Sequence, residues 1–169
     1  MAYKEHQKDS PQSIGCAVIT VSDTRNEQND KSGQLIKSLL EENGHQITHY
    51  QIVKDSPLQI KGELAILVEK RSCQAVIFNG GTGIAPRDNT FDTLNRMLNK
   101  RLDGFGELFR YLSYQEIGSG AIMSRAVAGT YRGRIVISVP GSTGAVRLAM
   151  EKLILPELGH MVGTVSPRL

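Results

Sequence analysis

The chain has 169 residues, 40% hydrophobic and 22% charged, the size of one domain able to close one substantial core. Twenty Lys and Arg against 17 Asp and Glu leave a net charge of +3 dispersed along the sequence, so no basic stripe is present and nucleic acid is not an expected partner. The longest apolar runs fall far short of the roughly 20 residues that a membrane-spanning helix needs, so no membrane partner is expected either.

Met1 to Ser13 is polar and lacks the apolar core of a secretory signal. It reads as a flexible tail ahead of a single domain over residues 14–169, with the cytoplasm as the expected location. Ile14 to Val21 is short, rich in β-branched residues and bounded by polar ones, as a buried strand is. Cys16 lies in it and Cys73 precedes a second such run; two cysteines without CxxC spacing read as buried thiols of a reducing compartment.

The polar turn Val21-Ser22-Asp23-Thr24 follows. Leu35, Ile36, Leu39 and Leu40 then make a helical stripe after a Ser32-Gly33 start. His45 and His49 fall in a segment expected to be an extended edge strand, and they read as solvated because zinc would need a third ligand nearby. That strand should end at Val53-Lys54-Asp55-Ser56-Pro57, where Pro57 opens a helix carrying Leu64, Leu67 and Val68.

Ala75 to Phe78 is the next buried strand, and Asn79-Gly80-Gly81-Thr82-Gly83 follows it. Residues Asp103 to Gly118 form a helix with Phe105, Leu108, Phe109 and Leu112 on one face. Tyr111 and Tyr114 exceed that stripe and either face a partner subunit or rim the core. Ile135 to Val139 is a third buried strand, followed by the turn Pro140-Gly141-Ser142-Thr143-Gly144. A last helix carries Val146, Ala149, Leu153 and Ile154, with Ser142 as its N-cap.

Strands alternating with helices predict an α/β three-layer sandwich: a mostly parallel central sheet with helices on both faces. In such folds ligands collect at the carboxyl ends of the strands. Three turns should meet there. The glycines at 80, 81 and 83 let backbone amides approach an oxyanion, and Thr82 adds a hydroxyl donor. The segment is neither a Walker A loop nor a G-x-G-x-x-G turn, and a plain strand-to-helix turn is an equal reading of it taken alone. Asp55 and Asp88 could hold Mg²⁺ against phosphates. Each could instead cap a helix, Asp88 the one near Asn89-Thr90 and Asp55 or Ser56 the one opened by Pro57.

Val-Ser-Asp at 21–23, Gly-Gly-Thr-Gly at 80–83, Pro-Arg-Asp at 86–88, Ser-Arg-Ala-Val-Ala-Gly at 124–129 and Pro-Gly-Ser at 140–142 together resemble the MoaB/Mog family, in order from about Ile14 to Leu158. The resemblance implies the molybdopterin-binding fold and a molybdenum-cofactor biosynthesis enzyme that joins AMP from MgATP to the terminal phosphate of molybdopterin, releasing pyrophosphate. By it, Asp55 and Asp88 are the catalytic, Mg²⁺-linked pair. Gly80, Gly81, Thr82 and Gly83 would hold the pterin phosphate, Ser22 and Asp23 would lie toward the nucleotide, and Ser124 and Arg125 toward the pterin. Pro140, Gly141 and Ser142 would complete the substrate site.

Pro-Gly-Ser-Thr-Gly-Ala-Val, in place of a Pro-Gly-Asn-Pro turn, and the Glu-Leu-Phe-Arg-Tyr-Leu-Ser-Tyr helix are similar to the MoaB branch. In that branch a non-catalytic molybdopterin-binding or carrier paralogue is the alternative. Ser-Pro follows Asp55 where an acidic residue is common in the family, and Asn89 stands where a β-branched one is usual. The resemblance further implies a homo-oligomer, trimer or hexamer, with Phe105 to Tyr114 at the contact, and partners among other molybdenum-cofactor biosynthesis proteins.

Overall fold

A computed structural model describes residues 2–166. Its sheet has six strands in the order β2-β1-β3-β6-β5-β4. These are β1 (Gly15–Val21), β2 (Gln46–Val53), β3 (Ala75–Asn79), β4 (Lys100–Arg101), β5 (Val127–Tyr131) and β6 (Arg134–Val139). The pairings of β1 with β2 and β3, and of β3 with β6, are parallel; β5 with β6 and β4 with β5 are antiparallel.

The helices are α1 (Ala2–Lys8), α2 (Lys31–Glu42), α3 (Pro57–Val68), α4 (Thr90–Met97), α5 (Asp103–Ile117), α6 (Thr143–Ala149) and α7 (Leu155–Val165). Because β1 and β3 are buried along both faces, their side chains alternate between two cores. Cys16, Val18 and Ile77 pack on one side with Ile36 and Leu40 of α2, Phe109 of α5, Val146 of α6 and Leu158 of α7. Ala17, Ile19 and Phe78 pack on the other with Ile60, Leu64 and Leu67 of α3 and Leu94 of α4. The expected three layers are therefore present. Phe78 and Phe109 are fully buried, and truncating either to Ala costs about 3–5 kcal/mol. Cys16 and Cys73 are both free and buried, and burial pushes the Cys16 thiol up to about 12.

Three elements depart from expectation. Residues Ala2–Lys8, read as part of a tail, form α1, which lies against α7: Tyr3 Oη bonds Glu157, and Gln7 Nε2 donates to Pro156 O at 3.2 Å. The last helical pattern is not one α-helix but α6, a π-turn over Met150–Ile154, then α7. Pro156 explains the break, since it has no N–H for the carbonyl one turn back and its ring crowds that turn. Finally, His49 on edge strand β2 is not solvated but lies 2.6 Å from Glu63 of α3.

Candidate functional site at the carboxyl rim of the sheet

The four parallel strands stop at one edge, with Val21 beside Val53, Thr20 beside Asn79, and Asn79 beside Val139. Strand β5 runs the other way, so its first residue, Val127, pairs with Ser138 and brings 124–126 to the same rim. Four turns and the approach to β5 thus converge.

In the first turn, Ser22 N–H donates to Val53 O at 2.9 Å, while Ser22 Oγ accepts the amides of Thr24 (3.2 Å) and Arg25 (3.1 Å). Asp23 Oδ1 accepts the Asp55 amide at 3.1 Å, which ties the first turn to the second. Asp55 Oδ1 in turn accepts the Asn89 amide at 3.0 Å, and Asn89 Nδ2 donates to Asp55 O at 3.2 Å. Asp88 Oδ2 accepts the Ala85 amide at 3.0 Å.

The glycine turn sits between these carboxylates. Gly80 and Gly81 have φ of 97° and 65°, the left-handed region that disfavours a side chain. A Cβ at Gly80 would collide with Val21 O, one at Gly81 with Asp55 Oδ2 and Thr90 Oγ1, and one at Gly83 with Asp88 Oδ2. Gly141 is stacked over the same turn, since a Cβ there would lie 3.1 Å from Gly80 Cα. Among the described residues the amides of Gly81, Thr82, Gly83 and Ile84 have no hydrogen-bond partner, whereas Gly80 N–H donates to Val139 O at 3.0 Å. Successive unpaired amides on such a turn make an anion-holding concavity.

Arg125 shapes that concavity from behind. Its Nε donates to Thr82 O at 2.9 Å and its Nη2 to Gly83 O at 2.6 Å. Its Nη1 and Nη2 also grip Asp92 at 3.0 and 2.9 Å, and it stacks on Phe91 at 4.6 Å. Because carbonyl and amide of a trans peptide point in opposite directions, this turns the Gly83 and Ile84 N–H groups away from Arg125. The guanidinium also holds the Asp92 carboxyl below the usual range, first through its hydrogen bonds. Asp55 shows the reverse: burial raises its pKa and the Asp88 and Asp23 charges add to the rise, against the Asn89 amide, which lowers it.

A sequence profile described as "Probable molybdopterin binding domain" matches residues 17–160. Molybdenum cofactor biosynthesis protein B of Bacillus subtilis is 52% identical over 163 residues, covering 96% of each chain. The chain belongs to the MoaB/Mog family. A crystal structure of a molybdenum cofactor biosynthesis protein B superposes with a TM-score of 0.90 at 50% identity, covering 93% of this chain and 98% of the other. Tungsten cofactor synthesizing protein MoaB of Pyrococcus furiosus superposes at 0.85 with 35% identity, covering 92% and 99%.

Within this MoaB/Mog chain, Ser22, Asp23, Asp55, Gly80 to Gly83, Asp88, Arg125 and Pro140 to Ser142 all lie at the rim. Ser142 accepts the Ala145 amide at 3.3 Å as the expected N-cap of α6. The capping expected of the two aspartates takes another form. Ser56 sits at the N-cap of α3 without a side-chain bond, and the Asp55 carboxylate, rather than capping α3, reaches across to the Asn89 amide at the start of α4. Asp88 does not cap α4 but closes its own 85–88 turn, leaving Asn89 as the cap residue. Ser124 adjoins Arg125, and its amide donates to Ala121 O at 3.0 Å.

Six polar residues, Thr20, Arg25, Asp30, Ser32, Tyr50 and Asn79, interlock beside these turns, and none of them is among the site residues that the sequence suggests. Asp30 is 1% exposed and caps α2 through the Gly33 amide at 3.0 Å. It also accepts Thr20 Oγ1 at 2.6 Å and Tyr50 Oη at 2.7 Å. Asn79 Nδ2 donates to Thr20 Oγ1 at 2.9 Å, and Ser32 Oγ joins Asn79 Oδ1 at 2.8 Å. Arg25 completes the set from the first turn. The readable signal was Asp30-Lys31-Ser32-Gly33, an aspartate directly before the helical stripe, and it places the cap two residues before the Ser32 start.

Proposed function

We propose that this chain acts in molybdenum cofactor biosynthesis as a molybdopterin adenylyltransferase with ATP as co-substrate. The supporting observation is the run of four unpaired amides from Gly81 to Ile84 set between the carboxylates of Asp55 and Asp88. In the proposed reaction an oxygen of the pterin phosphate attacks the α-phosphorus of ATP. A new P–O bond forms as the α–β bond breaks, and the electron pair leaves with pyrophosphate. Such a transfer asks the protein to align two anions and offset their charge, without a covalent nucleophile.

In this reading the amides at 81–84 hold the pterin phosphate, with Thr82 beside them. Arg125 acts behind the turn, fixing the Thr82 and Gly83 carbonyls so that the amides stay presented. Ser22, Asp23 and the Pro140 to Ser142 turn border the nucleotide side, and Ser124 the pterin side. Mg²⁺ fits the donor set: Asp55 and Asp88 are hard oxygen ligands, and among the described residues no third His, Cys, Asp or Glu completes a protein-only metal cage. Substrate phosphates and water would then supply the remaining ligands, as is usual for this ion. Burial is the main cause of the raised Asp55 pKa, and the Asp88 and Asp23 charges add to it, so a cation here would meet crowded carboxylates. Bound there, Mg²⁺ would neutralise the triphosphate and stabilise the departing pyrophosphate.

The same reading includes a trimer or hexamer in the cytoplasm. Tyr111 (59% exposed), Tyr114 (62%), Ile117 and Ile122 (84%) are open to solvent, and exposed Leu108 of the same helix lines a groove of about 970 Å³ with Leu102, Phe105, Leu153 and Met161. Exposed apolar surface of this kind supports an interface with another copy of the chain. Phe109, on the apolar stripe of the same helix, is fully buried in the core.

Purified protein given MgATP and molybdopterin should release pyrophosphate and adenylylated pterin. Asp88→Ala should lower turnover by about 10³-fold or more while molybdopterin binding persists. Unchanged turnover in that variant sinks the assignment. Pterin binding with no pyrophosphate release by the wild type at any ATP concentration identifies a carrier instead.

A further inference from the structure

Two arginines are fixed to the rim, and they are spent differently. Arg125 has four of its five N–H groups engaged on two carbonyls and a bidentate carboxylate, so both its charge and its donors are occupied. Arg25 donates from Nη1 to Ser32 Oγ at 2.6 Å and from Nη2 to Gly141 O at 3.1 Å. Among the described residues its other three N–H groups have no hydrogen-bond partner.

Its side chain is 34% exposed, and its nearest carboxylate, Asp30, is 3.7 Å away. That carboxylate is already shared by Thr20, Tyr50, Ser32 and the Gly33 amide. Asp30 thus orients Arg25, in part through Ser32, without saturating it. The guanidinium lies where the turns after β1, β3 and β6 meet, because a Cβ on Gly141 would touch Gly80 Cα at 3.1 Å and Arg25 Nη1 at 3.6 Å. Burying a carboxylate is unfavourable unless it is well bonded, and here the bonded carboxylate also steers the cation.

We propose that Arg25 is a phosphate-binding residue of this site, its guanidinium fork held ready toward the rim by the buried Asp30 cluster. A planar fork with free donors matches the paired oxygens of a phosphate, which a lysine ammonium reproduces only as a point charge. The proposal rests on the rim being a site for phosphorylated ligands. Either the triphosphate of ATP or the terminal phosphate of the pterin presents this chemistry.

The test uses full-length wild type, Arg25→Gln and Arg25→Lys. Calorimetry with inorganic pyrophosphate reads binding without turnover, and steady-state assays read KM for ATP and for molybdopterin separately. Arg25→Gln should weaken pyrophosphate about tenfold or more and flatten the salt dependence of binding; Arg25→Lys should fall between. Whichever KM rises, with kcat changed less, identifies the phosphate that Arg25 holds. A merely structural role would lower the melting temperature and kcat without changing the salt slope, which would overturn the proposal. So would wild-type affinity for pyrophosphate and both substrates in a folded Arg25→Gln. Wild type that binds pyrophosphate but transfers no adenylyl group would sink the enzymatic reading alone.

Discussion

The carboxyl rim and the outer side of α5 are both open to solvent, yet they are built in opposite ways. At the rim, polar side chains are locked by several partners each, as in the Asp30 cluster and the Arg125–Asp92 grip. Gly80, Gly81 and Gly83 of the rim leave no room for a side chain. On α5 four large apolar side chains, Leu108, Tyr111, Tyr114 and Ile117, are exposed among charged ones, and Gly104 has nothing within 4 Å of an added Cβ. A site for small anions needs donors fixed before the ligand arrives, because the ligand then loses less freedom on binding. A surface for another protein chain needs buriable area, and area demands little local order.

Substituting glycines on the two sides sharpens this contrast most. Gly81→Ala should lose about 3 kcal/mol of stability in urea denaturation and nearly all activity, because φ is 65° and the new methyl meets Asp55 and Thr90. Gly104→Ala should stay within about 1 kcal/mol of wild type. Comparable losses in both would erase the distinction. A smaller effect is expected on the apolar side: Tyr111→Ser, Tyr114→Ser and Ile122→Ser together should drive the light-scattering mass toward that of a single chain. Retention of the wild-type mass would remove this face from the assembly.

The smallest expected effect concerns the grip behind the glycine turn. Asp92 has a lowered pKa, so its pairing stabilises the fold above the ordinary aspartate value of about 3.9 and is lost as pH falls through the depressed one. Asp92→Asn should therefore lose under about 1 kcal/mol at pH 7, since the pair is half-exposed, and match wild type in strong acid. A deficit that persists in acid would mean packing, not charge, holds Arg125.

Much of this was written plainly in the chain. Strands β1, β3 and β6 were legible because burial on both faces leaves continuous β-branched runs, and the rule that ligands gather at strand ends located the rim before any side chain was placed. Strand β5 was harder to see: Val-Ala-Gly-Thr-Tyr has a glycine in its middle, where backbone approach to Lys100 O leaves no room for a Cβ. The partners of the site residues were hidden for a different reason. Asp30 and Tyr50 are 20 positions apart and Arg125 and Asp92 are 33 apart, so no local pattern joins them. Only the sheet order brings them together.

Backbone amide NMR of the full chain titrated with molybdopterin, with and without MgATP, tests the central claim most directly. The largest shifts are expected at Gly81, Thr82, Gly83 and Ile84, with smaller ones at Arg25 and Asp55. Shifts clustered on α5 or β2, with residues 81–84 unmoved, would contradict a phosphate site at this rim.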